Sequence, residues 1–327
     1  MVRSIEAYPE VPSLLRLLKR ELAEDRYGEN PHGGDGGQGS EERTAEQDKL
    51  KDGEGLKENK VSYDNLLEKA EGESFKVAIG YDPEDDPSPL FEYSFHLASL
   101  LCGEVIIVHA LEGLLDTETG EEEEVITKRI EEVVKSLPEE IKKGVPYSVE
   151  IVYGKDIETF TQFVEKYEVK LFSFYFYKKL LGRTLSQEFL EHLPTGLLIV
   201  KEGIPFRFIR RIIVPLDFSK NSFKQKEFVE RLKECTPYGL EIEFLHVMDE
   251  ENESEEEEIK LLFNELFEEN DKFIILHGDP AKEIVKRIKE GSYDLVVVGR
   301  VGKGLNIGYG NVTKEILEEA KCPVVVL

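Results

Sequence analysis

Asp294 to Leu327 reads DLVVVGRVGKGLNIGYGNVTKEILEEAKCPVVVL. Leu295 to Val298 is a short β-branched run that stops at Gly299. Gly302, Gly304, Gly308 and Gly310 follow, so that five glycines fall within twelve residues. A helical pattern starts near Asn311, and Val324 to Leu327 is a second apolar run. The order is strand, glycine-rich loop, helix, strand. Backbone amides freed by glycine and set before a helix N-terminus form a cradle for an anion such as phosphate, which makes this stretch a nucleotide-binding candidate.

Upstream, the chain alternates strands and helices from Phe75 onward and does so twice. Val77 to Asp82 (VAIGYD) corresponds to Ile212 to Asp217 (IIVPLD), Glu104 to His109 to Ile242 to His246, and Val149 to Asp156 to Ile274 to Asp279. Leu171 to Phe174 matches Leu295 to Val298, and Gly196 to Val200 matches Pro323 to Leu327, at an offset near 125–135 residues. That period is the length of a domain, and two copies are too few for a solenoid. Strands that are continuous apolar runs between helices predict mostly parallel open sheets covered on both faces. The expected architecture is α/β: two tandem domains of five strands each, at residues 75–203 and 206–327.

Residues 1–74 differ. Ser13 to Ala23 has the pattern of a short amphipathic helix with Ser13 as N-cap, and Ser62 to Glu71 suggests a second. Gly28 to Gly55 is rich in Gly, Glu, Asp and Lys with few large apolar residues, the composition of a disordered linker. This segment either docks an unknown protein partner or packs on its own chain and frays.

The 327 residues carry 42 basic and 68 acidic side chains, a net charge of −26. Such a balance repels nucleic acid and anionic membrane surfaces and favours solubility. No apolar run reaches the roughly 20 residues that a spanning helix needs, and no signal peptide is expected. Cys102, Cys235 and Cys322 are odd in number and widely spaced, which suggests a reducing compartment such as the cytoplasm with no disulfide framework. The acidic runs Glu121 to Glu124 and Glu250 to Glu258 suit helix starts and lack calcium-loop spacing.

In an open parallel sheet, ligands sit outside the carboxyl ends of the strands at the switch point. In the second copy that edge receives Pro215, Leu216 and Asp217 from the first strand, Val247 from the second, and Val298 and Gly299 from the fourth. Asp217 can accept hydrogen bonds from a ligand or cap the next helix, as can Ser219, and spacing alone leaves both open. His109 and His246 occupy equivalent strand ends, which points to structure. The six histidines lack H-x-H or HExxH spacing, and there is no Walker A lysine, no G-x-S-x-G elbow and no kinase motif set. Gly302, Gly304 and Gly308 lie in the last βαβ unit, the wrong place for a dinucleotide fingerprint.

These residues resemble the universal stress proteins in their tandem two-domain form. PLDFSKNS (Pro215 to Ser222) is similar to the family's first-strand motif, GRVG (Gly299 to Gly302) to the G-x-x-G of its ATP loop, and GNVTKEILEEAKCPVVVL to its ending. The resemblance implies an adenine-nucleotide α-hydrolase-like fold and ATP, with or without Mg2+, in the C-terminal half. It sets Pro215, Leu216, Asp217 and Val247 at the base and ribose. Val298, Gly299, Val301 and Gly302 would lie beside the ribose and phosphates, and Gly310, Asn311, Val312 and Thr313 would complete the phosphate cradle. Seven residues separate Gly302 from Gly310 where the family pattern has nine, and Asn311 stands where Ser or Thr is usual.

In the first copy, Phe172 to Lys179 (FSFYFYKK) stands where the loop should be glycine-rich. Bulky side chains prevent close backbone approach to a phosphate. They either stack on a different ligand or belong to a degenerate half that packs against its partner, as core or interface. Gly182-Arg183-Thr184 resembles a remnant of the later glycine element. The last strands of the two copies are apolar edges that invite pairing with each other, giving an internal pseudo-dimer, with higher homo-oligomers left open. The expected function is nucleotide-dependent regulation or stress response, with no catalytic residue, no metal cluster and at most slow ATP hydrolysis. The alternative is an interaction or scaffold protein in which both domains are structural.

Overall fold

A computed structural model describes residues 74–112, 119–176, 184–248, 253–268, 271–300 and 310–327. All lie in one compact unit, Gly72–Leu327. The expected N-terminal helices and linker, the Gly182-Arg183 remnant, and the loop residues Val301 and Gly302 fall outside the described residues.

The first half runs β1 (Phe75–Gly80), α1 (Ser88–Leu100), β2 (Gly103–Leu111), α2 (Thr119–Ser136), α3 (Glu139–Lys142), β3 (Tyr147–Tyr153), α4 (Ile157–Lys166), β4 (Leu171–Tyr175), α5 (Leu185–His192) and β5 (Gly196–Val200). The second runs β6 (Arg211–Pro215), α6 (Lys220–Cys235), β7 (Glu241–Met248), α7 (Glu253–Leu266), β8 (Lys272–His277), α8 (Pro280–Glu290), β9 (Leu295–Val298), α9 (Asn311–Glu319) and β10 (Val324–Val326).

The strands form a single sheet in the order β3-β2-β1-β4-β5-β10-β9-β6-β7-β8. Within each half every pairing is parallel, as alternating strands and helices require. The halves meet where β5 and β10 run antiparallel, with Val324 opposite Ile199, Val325 opposite Leu198 and Val326 opposite Leu197. The two apolar edges thus cover each other, and the internal pseudo-dimer expected from the sequence is the architecture of the sheet.

The repeat extends to backbone detail. Gly154 and Gly278 have φ of +116° and +128° and donate their amides to Leu111 O and Met248 O. These are left-handed conformations that favour glycine. Asp156 and Asp279 follow and cap α4 and α8 through the Thr159 and Lys282 amides. The core crosses the junction unbroken: Phe172, Leu197 and Ile199 share one buried cluster with Val296, Val324 and Val326.

The connector between β5 and β6 is bound to α1. The Tyr93 hydroxyl donates to Pro205 O (2.9 Å) and accepts the Arg207 amide (3.1 Å). His96 Nε2 accepts the Ile209 amide (3.1 Å), and the rings of Phe206 and Phe208 stand edge-on to the imidazole at 5.5 and 5.1 Å. His96 is 4% exposed, and burial pulls its pKa down to about 4. An imidazole whose folded pKa lies below its unfolded value of roughly 6.5 binds its proton more readily when unfolded. Its contribution is therefore complete above about pH 6.5 and is lost as pH falls through the folded value. Unfolding free energy should drop by about 3 kcal/mol across that window. In His96→Gln, which keeps an acceptor but does not titrate, urea unfolding should show a correspondingly flatter slope between the same pH values. Equal slopes in both proteins would contradict this role.

Candidate functional site

The order of each half, 3-2-1-4-5, puts a switch point between its first and fourth strands, which in the second half are β6 and β9. Their pairing covers Ile212 with Leu295 and Ile213 with Val296, and no further partners follow. Beyond it, Gln225 of α6 spans the two strands. Its Nε2 donates to Pro215 O (2.8 Å) and Val297 O (3.0 Å), and the residue is 1% exposed. A buried amide with both protons bonded fixes the floor of the crevice.

On the β6 side, the Leu216 amide donates to Leu245 O (2.7 Å), which carries the pairing with β7 one residue past the strand. His246 Nδ1 lies 2.7 Å from Leu216 O. A carbonyl oxygen only accepts, so Nδ1 carries the proton. His109 repeats the contact with Tyr81 O at 2.9 Å, so both histidines serve the structural role expected of them. Asp217 Oδ1 accepts the Ser219 amide (2.9 Å) and the Ser222 hydroxyl (3.0 Å). The carboxylate therefore makes the turn into α6, one of the two roles that spacing left open. Between them, Phe218 takes φ +54° with its ring 5.3 Å from His246 and 6.3 Å from Phe273. Such a conformation costs on the order of 1–3 kcal/mol and needs packing to hold it. Ser219 Oγ is buried with no hydrogen-bond partner. Val247 on β7 is half-buried and packs on the core cluster.

On the β9 side, the Leu327 amide donates to Val298 O (3.0 Å) and the Arg300 amide to Leu327 O (2.7 Å). The Gly310 amide then donates to Arg300 O (2.9 Å), and Thr313 Oγ1 donates to Gly299 O (2.9 Å). These two bonds tie the start and end of the glycine-rich stretch together, whatever the number of residues between them. Thr313 is 3% exposed, so its hydroxyl acts in the base of the loop. Helix α9 begins after Gly310 with no side-chain cap, Asn311 is exposed and Val312 packs on the core cluster. Amides at such an end suit an anion.

Arg300, in the middle of the GRVG motif, was not among the expected site residues. Its guanidinium reaches the first half and donates to Leu193 O and Thr195 O, both at 2.7 Å. Leu193 is the C-cap of α5, so the cation also meets the negative end of that helix. Burial lowers the Arg300 pKa. Lys201, just after β5, reciprocates with a bond to Ala320 O, the C-cap of α9.

In the first half the sheet register aligns Tyr175 with Gly299. Of the aromatic run, Phe172 to Tyr175 are strand, since β4 extends through Tyr175, and Tyr177 to Lys179 lie outside the described residues. The Tyr175 hydroxyl donates to Asp86 O (2.8 Å) and accepts the Leu90 amide (3.2 Å), and burial raises its pKa. Phe172 and Phe174 pack on Phe189 at 5.1 and 5.2 Å, so they are core residues.

The most perturbed carboxylate among the described residues lies away from this edge. Glu243 on β7 is 3% exposed. Burial pushes its pKa up, but hydrogen bonds from Arg287 (2.6 and 2.8 Å), Lys272 and Tyr293 (2.6 Å) outweigh that and bring it to about 2. A carboxylate so fully engaged is a structural anchor.

Residues 250–327 match the model of the universal stress protein family. No curated protein matches the chain. Among solved structures, a universal stress protein from Archaeoglobus fulgidus is similar at 17% identity and TM-score 0.60, over 77% of this chain and 97% of that one. A universal stress protein from Pseudomonas aeruginosa is similar at 14% identity and TM-score 0.53, over 78% and 92%. The cytoplasmic domain of a prokaryotic cation chloride cotransporter is similar at 13% identity and TM-score 0.51, over 77% and 95%. The second half thus matches the universal stress protein family, and the likeness to the solved structures across both halves is one of fold. No helix among the described residues is long and apolar enough to cross a membrane.

Arg300→Met should destabilise the protein by about 2 kcal/mol in urea unfolding, because hydrogen bonds to a charged group are worth roughly 1.5–3 kcal/mol. Arg300→Lys should recover less than half, since an ammonium cannot reproduce the fork. An unchanged midpoint in Arg300→Met would contradict the bond's role.

Proposed function

We propose that residues 206–327 form an ATP-binding universal-stress-type domain and that residues 75–203 form a second, degenerate one without a glycine loop. Together they act as a cytoplasmic, nucleotide-responsive regulatory or stress protein. Asp217 and Val247, with Pro215 and Leu216, receive the base and ribose. Val298 and Gly299 floor the crevice. Val301, Gly302, Gly310, Asn311, Val312 and Thr313 surround the phosphates, with Mg2+ where it accompanies them. No residue is assigned to catalysis, and hydrolysis is at most slow.

One observation carries this reading. Gly310 to Arg300 and Thr313 to Gly299 close the glycine-rich loop at the start of a helix without a side-chain cap. They do so across the switch point from Asp217, so the two missing loop residues do not prevent closure. An anion there would meet the helix dipole and the first-turn amides of α9, which no side chain caps. The second reading, an interaction module with both domains structural, draws on Asp217 being engaged by Ser219 and Ser222 and on Tyr175 occupying the first-half edge. A fold does not by itself specify a ligand.

Calorimetry of the full chain with ATP, ADP and AMP, with and without Mg2+, separates the two. The proposal expects saturable ATP binding that Gly302→Val weakens at least about tenfold, a loss of roughly 1.4 kcal/mol. Asp217→Ala should weaken it similarly, and Asp217→Asn, which keeps the turn acceptor, should lose less. Absence of binding at about 1 mM ATP, an affinity poorer than roughly −4 kcal/mol, overturns the ATP assignment.

A further inference from the structure

Helices α1 and α6 belong to different halves and touch on one face of the sheet. Their C-terminal ends are joined by Arg231 of α6, whose Nε donates to Leu101 O at 2.8 Å. The same guanidinium lies over the Phe75 ring at 5.2 Å, and Phe75 meets Phe228 at 6.2 Å. Cys102 directly follows Leu101, in a left-handed turn with φ +51°. Cys235 is the last residue of α6, one helical turn beyond Arg231. The bond from Arg231 to Leu101 thus brings the two cysteines to the same place, and the Cys235 thiol interacts with the Cys102 side chain. Both are free and half-buried, whereas Cys322 is free but only 6% exposed. Because Cys102 precedes β2, the pair sits at the amino-terminal edge of the strands, opposite the candidate nucleotide edge.

We propose that Cys102 and Cys235 are a redox modification site: a hydroperoxide converts them to a disulfide that covalently joins the two halves, and small thiols reverse it. In the first step the Cys102 sulfur attacks the distal peroxide oxygen. The O–O bond breaks, Cys102 becomes a sulfenic acid, and the leaving oxygen departs with a proton as an alcohol, or as water from hydrogen peroxide. In the second step the Cys235 sulfur attacks the sulfenic sulfur. The S–O bond breaks, the hydroxyl leaves as water with the Cys235 proton, and the S–S bond forms. The two thiols together lose two electrons, and the peroxide gains two. Burial, and next the neighbouring Cys102, push the Cys235 thiol up to about 12. A thiol so poorly ionised reacts in either step only through a small thiolate fraction, because the thiolate is the nucleophile, so the linkage should form slowly. A disulfide tolerates Cα separations only up to about 7 Å, so capture of the bond is itself a geometric test. The site is independent of the ATP reading.

The test uses the native full chain, reduced and then exposed to stoichiometric hydrogen peroxide. Remaining thiols are blocked with N-ethylmaleimide, and the protein is digested without reductant for mass spectrometry. The expected result is a linked Cys102–Cys235 peptide from a monomeric protein. Accessible thiols, counted after denaturation, fall from the three of the sequence to Cys322 alone, and dithiothreitol restores all of them. In Cys102→Ser, Cys235 should remain alkylatable after the same treatment. Sulfinic acid at Cys102 with Cys235 still alkylatable would overturn the proposal. So would a Cys102–Cys102 link between two copies, or no reaction at either cysteine.

Discussion

Val324–Val326 lies antiparallel to Leu197–Ile199, and the rest of the architecture hangs on that contact. Each half is a five-stranded parallel sheet whose last strand is an apolar edge. Left alone, either edge presents unpaired backbone groups and valine or leucine side chains to water, a template for association. Pairing them satisfies both edges at once and lets one buried cluster run from Phe172 through Leu197 and Val324 to Val296. It also brings the ends of α5 and α9 within reach of cations from the opposite half. Arg300 then meets the carbonyls at Leu193 and Thr195, and Lys201 meets Ala320.

The same pairing makes the two switch points comparable, and they differ in what stands at the strand end. In the second half, Gly299 leaves the edge free of a side chain, Gln225 bridges the strand ends beneath it, and Thr313 anchors the loop base. In the first half, Tyr175 takes the matching position and spends its hydroxyl on Asp86 O and the Leu90 amide. A glycine permits backbone approach by a ligand, whereas a hydrogen-bonded tyrosine occupies that space with the protein's own atoms. The halves share a fold and are unequal in what their edges can receive.

Much of this was legible in the sequence. Continuous apolar runs such as Leu295 to Val298 and Gly196 to Val200 stand out because a parallel strand is buried on both faces, and the repeated landmarks mark the two halves. The aromatic run after Phe172 was harder. Its first residues, through Phe174, matched the strand Leu295 to Val298, and β4 runs one residue further to Tyr175, as Phe and Tyr favour strands. Gln225 had a usable signal: Ser222, Gln225, Val229 and Leu232 share one helical stripe, so the two polar members sit on a buried face and must find partners. Arg300 gave none, since a lone arginine among glycines carries no periodicity. Its role depends on α5 arriving from 107 residues away. The nearness of Cys102 and Cys235 was hidden for the same reason, as only the packing of α1 on α6 creates it.

If the junction governs the whole unit, the amides of β5 and β10 should be its most protected and should exchange together. Native-state hydrogen exchange on residues 197–199 and 324–326 measures this directly. The account predicts that both strands exchange only through global unfolding, with one free energy and one denaturant slope shared by the two halves. Exchange of either strand at a free energy well below the global value, or two separate unfolding transitions for residues 75–203 and 206–327, would contradict it.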